Sequence, residues 1–221
     1  MTQRASVFLG PTAVQFDLPS PEDIVFQKVQ WGAIDAFPTP AYWTYQVLAR
    51  RVSATSIHYR LGETLAEEIG ACLLGGHGIP ASVGLAAFKH LKTKKAFESS
   101  QTEEDIFNEL SKPLIVNGRS IRYRFARQKS RYLAIALDRT ANETPPTSTG
   151  RELRNWLLGL PGVGFKTASW IARNWLDADD VAILDIHVLR AGTLAGFFDN
   201  GLTVERDYLK LESQFLSFSK A

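Results

Sequence analysis

Cysteine is nearly absent from this sequence: Cys72 is the single one among 221 residues. One thiol cannot form an internal disulfide, and it cannot supply an iron–sulfur cluster or a zinc site that needs several cysteine ligands. A chain of this length buries enough apolar surface to fold without such links. We therefore expect a cytoplasmic protein without an iron–sulfur cluster.

Long apolar runs and a large net charge are also missing. No uncharged stretch approaches the about 20 residues that cross a bilayer, and the apolar run before Gly10 is too short for a signal peptide. We expect no membrane partner. The formal net charge is only +2, so the distribution of charge along the chain is more informative than its sum.

Helix signals dominate from residue 39 onward. Thr39-Pro40, Thr64-x-x-Glu67 and Thr149-x-x-Glu152 each precede apolar residues at helical spacing. Before residue 39, two short alternating segments, Thr12–Leu18 and Ile24–Trp31, are typical of strands or extended arms. We predict a mainly α fold with a small β element at the amino terminus.

The same pattern predicts three consecutive parts. Residues 1–38 form an extended or β arm, and residues 39–145 form a helical subdomain that contains a basic helix. A linker rich in proline, serine and threonine, residues 141–150, leads into a second helical subdomain at residues 146–221. We expect the two helical parts to pack as one unit.

Positive charge is concentrated in residues 111–139, where eight Lys or Arg accompany one acid, Asp138, for a local net charge of +7. We predict a helix over Ser120–Leu137 with one basic face. Its arginines at positions i, i+3 and i+7 are Arg124, Arg127 and Arg131. Such a face is usually only solvated, but the scarcity of acids within it favours a polyanionic partner.

A glycine turn and two polar residues suggest chemistry in the last third of the chain. The segment Leu160-Pro161-Gly162-Val163-Gly164 predicts a tight turn whose amides lie at the amino end of a helix, where a phosphate is favoured. Such turns also join helices without any ligand. Lys166 is either a solvated lysine or a nucleophile whose pKa is lowered by burial and by the helix amino terminus. Asp185 is either a helix N-cap or a catalytic carboxylate.

Hairpin, lysine and aspartate in this order resemble the helix-hairpin-helix plus Gly/Pro-Asp motif of the base-excision DNA glycosylases. The resemblance is greatest to the archaeal and bacterial 8-oxoguanine DNA glycosylase/AP lyases, and it covers about residues 60–216. It implies a two-subdomain helix-hairpin-helix glycosylase fold and DNA with a flipped, modified base as partner. It also implies that Lys166 attacks C1′ to form a Schiff base that leads to β-elimination, while Asp185 orients the lysine and stabilises positive charge on the sugar.

The resemblance implies further ligands around the hairpin. Backbone phosphates are expected on the amides of Gly162, Val163 and Gly164 and on the three arginines of the basic helix. A monovalent cation is expected on the carbonyl oxygens of Leu160 and Val163. No other cofactor is implied.

The base pocket is where the chain departs from the family. A Gly75-Gly76-His77-Gly78 turn replaces a turn that contains Ser and Asn or Gln, and Ala221 precedes the place of a Leu-Asp-Leu-x-x-Trp-like segment. Either the pocket is built differently or that segment lies outside this sequence. His77 contacts a base or only fills the turn. Phe165 and Trp170 line the pocket or belong to the core, and His187 is expected to satisfy a buried carbonyl.

Three functions stay open at this point. The first is a bifunctional glycosylase/AP lyase that excises oxidised guanine, which the Lys166 and Asp185 pair favours. The second is a module that keeps the fold and binds nucleic acid without catalysis, which the altered turn favours. The third follows from the family: some members belong to bacterial anti-phage operons, where the target is another modified base or a nucleobase conjugate and the partner a protein from the operon.

Overall fold

The structure is a computed structural model that describes residues 2–53, 59–98 and 101–221. Within these ranges it contains nine helices and six short strands, which confirms the predicted mainly α class. The residues form two compact units: Met1–His58 with Leu184–Ala221, the first unit, and Tyr59–Ile183, the second unit. The boundaries of these two units differ from those of the three consecutive parts predicted above. Those parts were defined by local sequence character and stay a prediction.

The first unit begins with an antiparallel hairpin of β1 (Gln3–Leu9) and β2 (Thr12–Leu18). Gly10 has φ +59° at the start of the two-residue turn, a conformation that glycine adopts without steric cost. The amide side chain of Gln3 donates to the carbonyl oxygens of Pro19 and Gly32 at 2.9 and 2.8 Å, which ties the hairpin to the next loop. The bounds predicted for the strand at 12–18 are confirmed, whereas β1 was not predicted.

The second predicted strand, Ile24–Trp31, is wrong as a single element. It is a small hairpin of β3 (Ile24–Phe26) and β4 (Val29–Gln30), because Gln27 turns the chain with φ 49°.

Three helices complete the first unit: α1 (Pro40–Ser53), α8 (Ile186–Ala195) and α9 (Val204–Ser219). Aromatic rings join segments that are far apart in sequence. Phe197 stacks on Phe218 with 4.0 Å between ring centroids, and Phe26 meets Phe218 edge-on at 6.1 Å. These contacts fasten the β3–β4 hairpin to the carboxyl-terminal helix.

The second unit has six helices and one small hairpin. The helices are α2 (Leu65–Leu74), α3 (Ala81–Thr93), α4 (Glu103–Leu110), α5 (Ala126–Asn142), α6 (Gly150–Leu157) and α7 (Phe165–Leu176); the strands are β5 (Leu114–Val116) and β6 (Arg119–Ile121). Its core contains fully buried aliphatic side chains from each of these six helices, including Ile69, Leu73, Leu91, Ile106, Leu110, Leu133, Leu153, Leu157 and Ile171.

The predicted N-caps at Thr39, Thr64 and Thr149 are confirmed. Each threonine hydroxyl accepts a hydrogen bond from the N–H three residues on, at 3.1 to 3.2 Å. The predicted start of the basic helix at Ser120 is wrong. Asn117 and Gly118 have φ 51° and 75° and connect β5 to β6, so Ser120 lies in a strand and α5 begins only at Ala126. Two positive φ values are what a type I′ hairpin turn requires.

Candidate functional site

The α6–α7 hairpin is held by hydrogen bonds at the start of α6 and in the turn between the helices. The carboxylate of Asp180 accepts from the N–H groups of Gly150 and Arg151 at 3.1 and 3.0 Å, which holds the start of α6. In the turn, the N–H of Val163 donates to the carbonyl oxygen of Leu160 at 3.2 Å. Leu160 and Val163 are both buried. The turn is therefore anchored by its apolar residues while its glycines face solvent.

The two glycines of the turn have different roles. Gly162 is exposed with φ +79°, and a Cβ atom there would overlap the ring of Tyr132. Gly164 has φ −96°, serves as N-cap of α7 and has open space where a Cβ would be. Only Gly162 therefore requires glycine, both for its backbone conformation and for its contact with Tyr132.

We expect Gly162→Ala to lower the free energy of unfolding by roughly 2 to 4 kcal/mol, because left-handed strain and overpacking against a ring add together. Gly164→Ala is the matched control. It should cost within about 1 kcal/mol, the difference between Gly and Ala at an N-cap. Urea unfolding followed by circular dichroism measures both. Equal losses for the two variants would contradict the distinct role assigned to Gly162.

A basic groove of about 610 Å³ lies beside this hairpin in the second unit. Its lining residues are Glu103, Arg124, Phe125, Arg127, Gln128, Arg131 and Tyr132. Tyr132 belongs to the groove and also contacts Gly162, so the groove and the hairpin meet at this ring. The prediction that the three arginines share one helix face is wrong in detail, because Arg124 precedes α5. They nevertheless line one surface.

The three guanidinium groups differ in their protein contacts. Arg127 donates to the carboxylate of Glu104 at 3.2 Å and stacks over Phe107 at 3.9 Å. Arg124 lies 5.5 Å from the ring centroid of Phe125. Arg131 is exposed, and no acidic side chain pairs with it within the part of the chain that the structure describes. Arg131 is thus the groove arginine most available to an anion.

Lys129 connects α5 to the glycine turn that contains His77. Its ammonium group donates to the carbonyl oxygen of Gly75 at 3.3 Å, and burial lowers the pKa of this lysine. A few residues on, Gly78 lies against the ring of Phe125. His77 itself is exposed at the tip of the turn. Neither Lys129 nor Phe125 was singled out from the sequence, although their position among the arginines of the basic stretch could have indicated them.

Lys166 occupies the first turn of α7, as predicted, but its side chain is exposed. Of the two alternatives that the sequence left open, the structure does not show the burial that the second one invoked. The physical reason is that α7 turns Ala168, Ile171 and Ala172 toward the core and Lys166 away from it. Trp170, one turn further on, lies on the same outward side and is 39% exposed.

Phe165 lies at the start of α7 and is half-buried. The guanidinium carbon of Arg154, a buried residue, lies 5.8 Å from the ring centroid of Phe165. This contact gives Phe165 a structural role in the hairpin. Its assignment to a base pocket stays a prediction.

Asp185 belongs to the first unit and is the N-cap of α8. One carboxylate oxygen accepts from the N–H groups of His187 and Val188 at 2.9 and 3.0 Å, so the predicted capping role is confirmed. His187 is exposed, which makes the prediction that it satisfies a buried carbonyl wrong. The structure brings the hairpin, Tyr132 and the three arginines together in the second unit, and it describes Lys166 and Asp185 each within its own unit.

The described residues contain no metal-binding cluster, no reactive thiol and no membrane-spanning helix. There, no group of three or more His, Cys, Asp and Glu side chains could hold a metal ion. Burial raises the pKa of Cys72 to about 12, so this thiol stays protonated and unreactive at neutral pH. No helix in the described ranges is long and apolar enough to span a membrane. The cation expected on the carbonyls of Leu160 and Val163 stays a prediction.

Comparisons with known proteins agree on one family. The family model described as 8-oxoguanine DNA glycosylase matches residues 54–221. The crystal structure of the 8-oxoguanine DNA glycosylase of Methanocaldococcus jannaschii is similar, with a TM-score of 0.52 and 24% sequence identity over 71% of this chain and 69% of that chain. At this identity the similarity is one of fold, and it confirms the predicted helix-hairpin-helix glycosylase fold. No curated protein sequence matches.

Proposed function

Because the chain belongs to the 8-oxoguanine DNA glycosylase family, a family of DNA repair, we propose that it excises oxidised guanine from DNA through Lys166 and then cuts the strand as an AP lyase. The observation that supports this most is the position of Lys166. Its side chain is exposed on the first turn of α7, directly after the hairpin that contains Gly162. A DNA strand whose phosphates lie on the hairpin would bring a sugar to this amine.

The proposed reaction uses the lysine as a covalent catalyst. The neutral amine of Lys166 attacks C1′ of the damaged nucleotide while the bond from C1′ to the base breaks, and the base leaves with the bonding electrons and takes up a proton. The carboxylate of Asp185 stabilises the positive charge that develops on the sugar. Opening of the sugar ring gives a Schiff base between Lys166 and C1′. Loss of a C2′ proton then expels the 3′ phosphate, and water releases the lysine.

DNA would be held chiefly by its phosphates. The amides of Gly162, Val163 and Gly164 lie at the amino end of α7, where a helix favours an anion. Arg124, Arg127 and Arg131 line the groove that meets the hairpin at Tyr132. Two adjacent phosphate sites, one of amides and one of guanidinium groups, suit a continuous DNA backbone.

We predict that two arginines of the groove contribute unequally to DNA binding. We expect Arg131→Gln to reduce the slope of log Kobs against log salt by about 0.9, the loss of one phosphate contact on duplex DNA. Arg127→Gln should change the slope less, because Glu104 and Phe107 already hold that guanidinium. Fluorescence anisotropy with a labelled duplex from about 50 to 200 mM salt measures this. A larger change for Arg127→Gln than for Arg131→Gln would contradict it.

The second candidate function uses the same chemistry on a different base. The Gly75-Gly76-His77-Gly78 turn accepts a hydrogen bond from Lys129 of α5 and lies against the ring of Phe125. It differs from the family's turn, which favours recognition of a different base. On this alternative the target is a modified base or nucleobase conjugate of an anti-phage system, with a protein partner from the same operon.

A base-release screen tests the proposal and separates the candidates. Duplexes that each carry one modified base are incubated with the protein, free base is measured, and borohydride is added to trap the Schiff base. Free 8-oxoguanine together with a trapped adduct is the expected result. Release of another base alone would favour the second candidate, release without an adduct would overturn the lyase step, and binding without release would favour a non-catalytic module.

A further inference from the structure

The segment of residues 36–62, most of which precedes the region that the family model matches, has an unusual composition. Residues 36–62 contain no Asp or Glu, and the nearest acids are Asp35 and Glu63. The same residues carry arginines and aromatic side chains, among them Phe37, Tyr42, Trp43, Arg50 and Arg51. The family model begins only at residue 54. The glycosylase resemblance therefore does not account for residues 36–53.

Helix α1 presents most of these residues outward. Pro40 and Ala41 are its only buried residues among those described. Trp43, Val47 and Arg50 are exposed at spacings of four and three residues, so they form one continuous face. Trp43 is 40% exposed and Val47 is 48% exposed. We call Phe37, Trp43, Val47 and Arg50 the α1 face.

The two aromatic rings of the α1 face, Phe37 and Trp43, contact each other and the ring of Tyr42. The ring of Phe37 meets those of Tyr42 and Trp43 edge-on at 5.5 and 5.6 Å, and the rings of Tyr42 and Trp43 meet at 5.2 Å. Phe37 nevertheless stays 59% exposed. Rings that hold one another in place lose little conformational entropy when they bind a ligand, so this is a prepared stacking surface.

We propose that the α1 face binds unpaired nucleotides of DNA. The rings of Phe37 and Trp43 stack on bases, and the guanidinium of Arg50 contacts a phosphate. Exposed aromatic side chains interleaved with cations are the chemistry that binds single strands, because every base offers a face for stacking. The complete lack of acids over residues 36–62 complements a polyanion, and the family to which the chain belongs acts on DNA.

The test is binding of a labelled oligothymidylate of about 15 nucleotides, measured by fluorescence anisotropy. Stacking on one aromatic ring is worth about 1 to 3 kcal/mol, so we expect Trp43→Ala to weaken binding about 5-fold to 150-fold. Arg50→Gln should reduce the slope of log Kobs against log salt by about 0.7, the value for one phosphate of a single strand.

Matched controls come from the same unit. Phe8 is 73% exposed on β1, outside the acid-free segment, so Phe8→Ala should leave binding unchanged. Arg206, exposed on α9, provides the control Arg206→Gln. Circular dichroism checks that each variant is folded. If Trp43→Ala does not fold, the oligothymidylate binding of Val47→Ser and Arg50→Gln tests the proposal instead.

Two outcomes would overturn the proposal. One is wild-type binding of oligothymidylate by both Trp43→Ala and Arg50→Gln. The other is that Trp43→Ala binds oligothymidylate as the wild type does but no longer forms a dimer that the wild type forms in sedimentation. This result would make the α1 face a contact between copies of the chain. Failure of base excision would not affect this test, because oligothymidylate contains no lesion and Lys166 lies outside the α1 face.

Discussion

Replacing Lys166 with glutamine should abolish the borohydride-trapped adduct and lower the rate of base release by roughly 10³-fold or more, the scale on which enzymes lose activity with their nucleophile. Glutamine keeps the length and polarity of the side chain, but its amide nitrogen cannot attack C1′. Single-turnover release of the base from a lesion duplex and gel analysis of the adduct measure the two effects. This is the largest change that we expect from any single substitution.

The exposure of Lys166 makes this prediction specific to chemistry. The side chain lies on the outward side of α7 and fills no space in the core, so Lys166→Gln should stay folded, which thermal unfolding checks. Lys89, an exposed lysine on α3 of the same unit, provides the control Lys89→Gln, which should keep full activity. A wild-type yield of adduct from Lys166→Gln would show that another amine is the nucleophile.

Local structure was predictable where a short stretch of sequence determines it. The caps at Thr39, Thr64 and Thr149 were found because a hydroxyl that accepts from the third following N–H needs only neighbouring residues. The α6–α7 hairpin was found for the same reason. The error at Ser120 had a readable signal: Asn117-Gly118 directly follows the apolar run Leu114–Val116, and Asn-Gly is a strong short-range mark of a β-hairpin. The helical spacing of the arginines that follow favours a helix and conflicts with this signal.

Features that depend on contacts between distant segments were not predictable. The first unit joins the two ends of the chain through rings such as Phe26, Phe197 and Phe218, which have no common sequence motif. The requirement for glycine at position 162 is similar, since half of it comes from Tyr132, thirty residues earlier.

Asp185 has two roles that can be separated by substitution. As a helix cap it needs an oxygen that accepts hydrogen bonds, which asparagine supplies about as well as aspartate. In the proposed catalysis it needs a negative charge to stabilise the sugar cation, which asparagine lacks. We therefore expect Asp185→Asn to lower the rate of base release by about 10²-fold to 10³-fold, the effect of losing one preorganised electrostatic group. Asp185→Ala should lose about 1 kcal/mol of stability in addition, because α8 then has no cap.

Asp180→Asn is the matched control for this pair. The Asp180 carboxylate also accepts two backbone N–H groups at the start of a helix, at 3.1 and 3.0 Å, but it holds α6 and not α8. It should therefore reproduce any effect that comes only from removing a negative charge at a helix amino terminus, where such charges are worth about 0.3 to 1 kcal/mol. Single-turnover base release and thermal unfolding of all three variants decide the matter. If Asp185→Asn and Asp180→Asn release base equally fast, the Asp185 carboxylate is a cap and nothing more, and the positive charge on the sugar must be stabilised by another group.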